Sequence, residues 1–252
     1  MIIGIATLLM MLFGGGSIDV FYIDKIEQGV KKEVTDKDRK KDLQGDLKEY
    51  TKTVKEFNKI RKNHLKELKK KNLDRSTSET WYVQFYESRF QERVDLQKAF
   101  IGQRIALQQK ISDDEWEAIM KKASDQTTQL AEKEQRKEGK KKDENDFRVQ
   151  EKAIVDNVAD QERRMTLLEA FAVYEALYNQ IHESYEDINV NESLFLANKD
   201  ASEEEMIILA GLLNDQRVLL YAGYTVFLVA MHNNTTDEEW KPIMKAFNKL
   251  LK

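Results

Sequence analysis

Asp113-Asp-Glu115-Trp116-Glu-Ala-Ile119-Met120-Lys121 recurs 124 residues later as Asp237-Glu-Glu239-Trp240-Lys-Pro-Ile243-Met244-Lys245, with six of the nine positions identical. The same offset lays residues 23–128 on 147–252 without a gap. Upstream, Val34-Thr-Asp36-Lys-Asp-Arg39 meets Val158-Ala-Asp160-Gln-Glu-Arg163, Leu43 and Tyr50 meet Leu167 and Tyr174, and Arg93-Val94 meets Arg217-Val218. Agreement of this kind over 106 residues reads as an internal duplication of one helical unit. Trp116, Trp240, Met120, Met244, Tyr50, Tyr174, Arg93 and Arg217 are its structural anchors.

Apolar spacing gives the unit its secondary structure. Leu43, Leu47, Tyr50, Val54 and Phe57 recur at intervals of 4-3-4-3, and the offset turns them into Leu167, Phe171, Tyr174, Tyr178 and Ile181. That spacing lines one helix face as a coiled-coil-like seam. Ser112-x-x-Glu115 and Thr236-x-x-Glu239 have the form of capping boxes, and Ser76-x-x-Glu79 with Asp200-x-x-Glu203 suggests a second pair of helix starts. Each repeat is therefore expected to hold a long helix, a second helix and a short Trp-bearing helix. The spans are 23–72, 78–110 and 113–125, then 147–188, 202–232 and 237–251. The short helix is expected to clamp its own hairpin through its tryptophan. Pro242 should distort the last helix or shift its start. The fold class is all-α, an elongated bundle of two tandem repeats behind an N-terminal membrane helix.

Composition agrees. The 252 residues include 41 Lys and Arg, 45 Asp and Glu, one Pro, ten Gly and no Cys. Without Cys there is no disulfide, thiolate metal site or thiol nucleophile. So few turn residues do not make an all-β fold.

Residues 1–22 form the first segment of the domain plan. Met1–Phe13 is unbroken apolar sequence, followed by Gly14-Gly15-Gly16 and a further apolar stretch to Tyr22. Thirteen helical residues rise only about 20 Å, short of a bilayer core of roughly 30 Å, whereas the segment read through to Tyr22 is long enough. No basic residue precedes the run, which favours an uncleaved anchor over a secretory signal. A buried helix in an assembly is the alternative. Lys25, Lys31, Lys32, Lys37, Arg39, Lys40 and Lys41 follow, so the charge bias puts the soluble part in the cytoplasm, with an extracytoplasmic or periplasmic position as runner-up. Repeat 1 covers 23–128, a charged linker 129–146 and repeat 2 147–252.

The repeats differ in charge and hydropathy. Residues 25–72 carry 17 Lys and Arg against 9 Asp and Glu, whereas 149–196 carry 3 against 10. Opposite charge on two copies of one helix suggests that they pack together, that neighbouring subunits meet head to tail, or that both faces are simply solvated. Val218–Met231 reads VLLYAGYTVFLVAM, while its counterpart VDLQKAFIGQRIAL is amphipathic. Fourteen residues do not span a bilayer, so a helix buried on all sides is expected; either the second repeat is the central core, or it supplies an apolar surface to a partner or membrane.

Catalytic patterns are missing. There is no GxxxxGK[ST], GxGxxG or HExxH. His64, His182 and His232 follow Arg61, Asn179 and Val229 by three, so the Glu-x-x-His pairs of diiron bundles are absent. No catalytic residue, metal ligand or cofactor is assigned, and the chain is read as a non-enzyme. The expected function is a membrane-anchored helical scaffold or adaptor subunit of a larger membrane complex. Its partners would be the membrane through residues 1–22 and other protein subunits, a homo-oligomer included. Lys31, Lys32, Lys40, Lys41, Lys69, Lys70 and Lys71 are candidate contacts to a partner or to anionic lipid headgroups. Nine interleaved acids count against nucleic acid. The alternative is a binding module for a lipid or other apolar ligand, motivated by the 218–231 helix and the aromatic stripe Phe171, Tyr174, Tyr178 and Tyr185.

Overall fold

The computed structural model describes residues 23–121 and 147–251. The anchor expected over 1–22 and the linker over 129–146 lie outside the described residues. Among the described residues all regular structure is helical, and no helix is long and apolar enough to cross a membrane.

The first half comprises α1 (Ile23–Glu33), α2 (Lys37–Asn72), α3 (Glu79–Lys110) and α4 (113–121). The second comprises α5 (Arg148–Asn157), α6 (Gln161–Ala197), α7 (Glu203–Asn234) and α8 (Asp237–Phe247). The starts of α2, α3 and α4 fall 124 residues before those of α6, α7 and α8. Among the described residues each half thus shows four helices where three were expected. The long first helix is broken at Val34–Asp36, because the Asp36 carboxylate accepts the Arg39 amide at 2.7 Å and caps a new helix. Asp160 does the same for Arg163 at 2.9 Å. The caps of α3 and α7 also differ from expectation. Ser78 and Ser202, not Ser76 and Asp200, accept the amides of Trp81 and Glu205. Ser112 and Thr236 form their boxes with Glu115 and Glu239. Pro242 lies inside α8 and leaves its start at Asp237.

The seam residues are the cores. Leu43, Leu47, Tyr50 and Phe57, and in the other half Leu167, Phe171, Tyr174, Tyr178 and Ile181, are all buried. The hairpins α2–α3 and α6–α7 meet through α3 and α7, which run antiparallel. Tyr86 stacks on Tyr221 at 4.5 Å, the Asn214 amide donates to Gln97 at 2.7 Å, and the Gln108 amide donates to the Ala201 carbonyl at 3.0 Å. Along this crossing the anchors Arg93 and Arg217 lie between the outer contacts. Arg93 sits over Phe57 at 5.8 Å, and Arg217 donates to Asn214 at 2.7 Å.

Each end of the bundle holds one core, and each core draws on both halves. Ile26, Val30, Leu43, Phe100, Trp116 and Ile119 enclose Ala201, Met206 and Ala210 from the second half. Leu167, Phe171, Phe227, Trp240 and Phe247 enclose Leu68, Tyr82, Phe85 and Tyr86 from the first. α1 seats closely on α4, since a Cβ at Gly29 would lie 2.5 Å from Ile119 Cγ1. Gly45 is the opposite case: it is exposed on α2, and an added Cβ would meet nothing within 4 Å. Gly45→Ala is expected to raise stability by about 1 kcal/mol through helix propensity alone. Urea unfolding checks it, and an unchanged midpoint would refute it.

Candidate functional site

The tryptophans and methionines read from the sequence as anchors lie inside the two cores. Trp116 and Met120 lie in the first core, Trp240 and Met244 in the second, all at most 5% exposed. Trp116 shares its core with Leu43 and Phe100 of its own hairpin, and Trp240 shares its core with Phe171 and Phe227 of its own, but Trp240 also reaches the other half. The Trp240 indole N–H donates to the Asn72 carbonyl at 2.8 Å, and the Asn248 amide donates to the Lys69 carbonyl at 2.9 Å. Two of the last-turn carbonyls of α2, which a helix leaves without partners, are therefore satisfied from the other half of the chain, while those of Lys70 and Lys71 accept from Leu73 and Asp74. Asn72 is fully buried and donates to the Tyr224 hydroxyl at 3.1 Å and to Asn248 at 2.9 Å. In the first core the Arg104 guanidinium lies 4.0 Å from the Trp116 ring and donates to Gln108 at 2.8 Å; burial lowers its pKa.

Ion pairs repeat at the 124-residue offset. Arg39 donates to Glu115 at 2.5 Å, and Arg163 grips Glu239 with two bonds of 2.7 and 3.0 Å. Those bonds hold the Glu239 carboxyl below its usual range. Across the halves, Arg75 pairs with Asp237 at 3.0 Å and Lys199 pairs with Asp113. Arg75 also donates to the His232 and Thr235 carbonyls, both at 2.7 Å.

No family model, curated protein or solved structure matches the chain.

Among the described residues no group of three or more His, Cys, Asp or Glu could hold a metal ion. His64 sits beside Glu92 at 3.7 Å, and burial lowers its pKa. Phe171, Tyr174 and Tyr178 are packed by other rings, with centroid separations of 5.4 Å for Phe171–Phe247, 5.7 Å for Tyr174–Tyr224 and 5.1 Å for Phe147–Tyr178. The side chain of Tyr185 lies outside the described part. A surface recess of about 170 Å³ is lined by Asp46, Glu49, Gln103, Ala106, Leu107 and Lys110, too small for a lipid chain.

Two outward faces stand out instead. On α7 the expectation of burial on all sides fails. α7 packs on α3 and α6 along one side only, and Leu220, Tyr224, Phe227, Leu228 and Met231 face the core. The other side leaves Ile208 58%, Leu212 50%, Leu219 50% and Val226 66% exposed, with Ile207 and Val218 beside them. The corresponding first-half positions are Gln84, Ser88, Asp95 and Gly102, with Val83 and Val94 beside them. The apolar stripe is thus a property of the second half, and the fold does not require it.

On α2 the charges are sorted. Lys37, Lys41, Lys48, Lys52, Lys55, Lys59, Lys62, Lys66 and Lys70 are all exposed. At 100° per residue they occupy an arc of roughly 100° opposite the Leu43–Leu47–Tyr50 seam, over roughly 50 Å of helix. Asp38, Asp42, Asp46, Glu49, Glu56 and Glu67 all fall on one flank of that arc. Asp42 and Asp46 pair there with Lys110 of α3, at 3.0 and 2.6 Å. Acids interleaved in sequence are therefore segregated in space. Among the described residues no carboxylate forms an ion pair with the stripe lysines.

The seven lysines singled out from sequence divide accordingly. Lys41 and Lys70 lie on the stripe. Lys32 is exposed on α1, where Lys31 pairs with Glu27 at 2.6 Å. Lys40 donates to the Lys31 carbonyl at 3.1 Å. Lys69 and Lys71 are half-buried, Lys71 lying 5.5 Å from the Trp81 ring. Sequence reasoning missed Lys48, Lys52, Lys55, Lys59, Lys62 and Lys66. Their 4-3-4-3-4 spacing was the available signal.

Proposed function

We propose that the chain is a non-catalytic scaffold or adaptor subunit of a membrane-associated complex, tethered through residues 1–22 and built from two homologous repeats. The duplication is supported by equivalent helix starts and by the reciprocal pairs Arg75–Asp237 and Lys199–Asp113. The observation that carries the role is the exposed apolar stripe of α7. A largely aliphatic face about 30 Å long, with exposed Asp215 in its middle, suits the apolar side of a partner subunit's helix that carries a cation at that point, laid into it at i, i+3, i+4 spacing. A body whose two cores are filled by both halves presents that face rigidly. The soluble part lies on the cytoplasmic side in this reading, following the Lys and Arg excess after residue 22.

The test is the native mass of the full chain extracted in mild detergent, with every co-purifying chain identified. A defined assembly with a stoichiometric partner is expected, and a lone monomer would refute the role. Leu219→Glu is expected to remove the partner while changing the thermal midpoint by no more than about 2 °C, because the position is solvated. Retention of the partner in that variant would move the interface elsewhere.

A further inference from the structure

The lysine stripe of α2 has two features that a merely solvated helix face lacks. Carboxylates are absent from its arc, and among the described residues its cations form no ion pair, whereas Arg39, Arg75, Lys110, Arg163 and Lys199 all have acidic partners. Like charges along one continuous helix repel one another, so concentrating them there is unfavourable unless an anion offsets it.

We propose that this stripe lies flat along an anionic bilayer and binds its lipid phosphate headgroups. The inference rests on the reading of residues 1–22 as a membrane segment. Three observations favour a planar anionic surface over nucleic acid. First, the arc is lysine throughout, with no arginine. Flexible ammonium groups act as point charges and suit headgroups at variable positions, whereas ordered phosphate recognition favours the arginine fork. Second, the arc carries no aromatic residue on which a base could stack. Third, the geometry is planar. A helix lying on a plane brings every lysine of a roughly 100° arc within a Debye length of about 8–10 Å, so all contribute together. A duplex curves away from so long a helix and meets only part of it. Chain order also fits, because α1 begins directly after residue 22 and packs on α2.

The experiment adds full-length protein from detergent to preformed vesicles, either neutral phosphatidylcholine or the same lipid with about a third phosphatidylserine. Lysines are acylated with a water-soluble reagent and read peptide by peptide. Lys48, Lys52, Lys55 and Lys59 are expected to react about fivefold more slowly on the anionic vesicles. About 0.5 M salt, which shortens the Debye length to about 4 Å, should abolish the difference. Exposed Lys241 and Lys245 on α8 serve as controls and should not change. In the full-length variant K48Q/K52Q/K55Q/K59Q, the remaining Lys62 and Lys66 should lose most of their dependence on lipid charge. Equal acylation on both vesicles would overturn the proposal. Protection by duplex RNA that exceeds protection by anionic vesicles would overturn it as well, and assign the stripe to nucleic acid. Flotation with neutral vesicles reports separately on residues 1–22. Its absence, with protection intact on anionic vesicles, would sink the anchor alone.

Discussion

Between pH 10 and 12 the protein is expected to unfold cooperatively, with phenolate absorbance and loss of helical circular dichroism rising together. Tyr82, Tyr86, Tyr174, Tyr178 and Tyr224 are all at most 6% exposed. Burial, the leading cause in each case, pushes their pKa values above 10. In the unfolded chain these phenols ionise near pH 10. The folded state then holds more protons than the unfolded state, so stability falls as pH rises. The contribution of these groups is complete below pH 10 and is lost as pH climbs toward their folded values. Each costs about 1.4 kcal/mol per pH unit above 10, so five acting together cost about 7 kcal/mol per unit, comparable to the whole stability of a typical domain. Arg104 and Arg61, whose pKa values burial lowers, act in the opposite sense, but they are two groups against five. Phenolate absorbance that rises near pH 10 while the helix signal persists would show that these tyrosines are open to water.

Trp240→Ala is expected to cost about 3–5 kcal/mol, the range for truncating a buried aromatic residue. The ring is 3% exposed and packs in the second core. Its N–H also serves the Asn72 carbonyl at the end of α2, so the variant loses packing and the cap together. Asn72 is fully buried, and leaving its carbonyl without the indole adds a desolvation penalty. Trp240→Phe keeps most of the volume but not the donor, so the difference between the two variants separates packing from capping. Urea unfolding measures both. A midpoint unchanged in Trp240→Ala would refute the clamp between the halves.

Where order is local, the chain announces it. Ser112 and Thr236 with their glutamates, the seam from Leu43 to Phe57 and its copy from Leu167 to Ile181 were legible, because a cap reaches three residues and a helix face repeats every three or four. Asp36 was equally local. It was lost among the charges of a basic helix, where one aspartate looks like any other. The α2 lysines were legible too once phased, since counting charges without phase makes a segregated helix look mixed.

The tertiary structure decided the rest. No local rule says that Trp240 will close the end of α2, whose Asn72 lies 168 residues away in sequence. Nor does one say that Ala201 and Met206 will complete a core built by Trp116. Val218–Met231 is apolar all round, and only the placement of α3 and α6 on one side determines that Leu219 and Val226 meet water. Helices and caps follow from neighbours along the chain. The covered and bare faces, and hence the surfaces available to a partner or a bilayer, follow from packing between distant segments, which a pattern of neighbours does not contain.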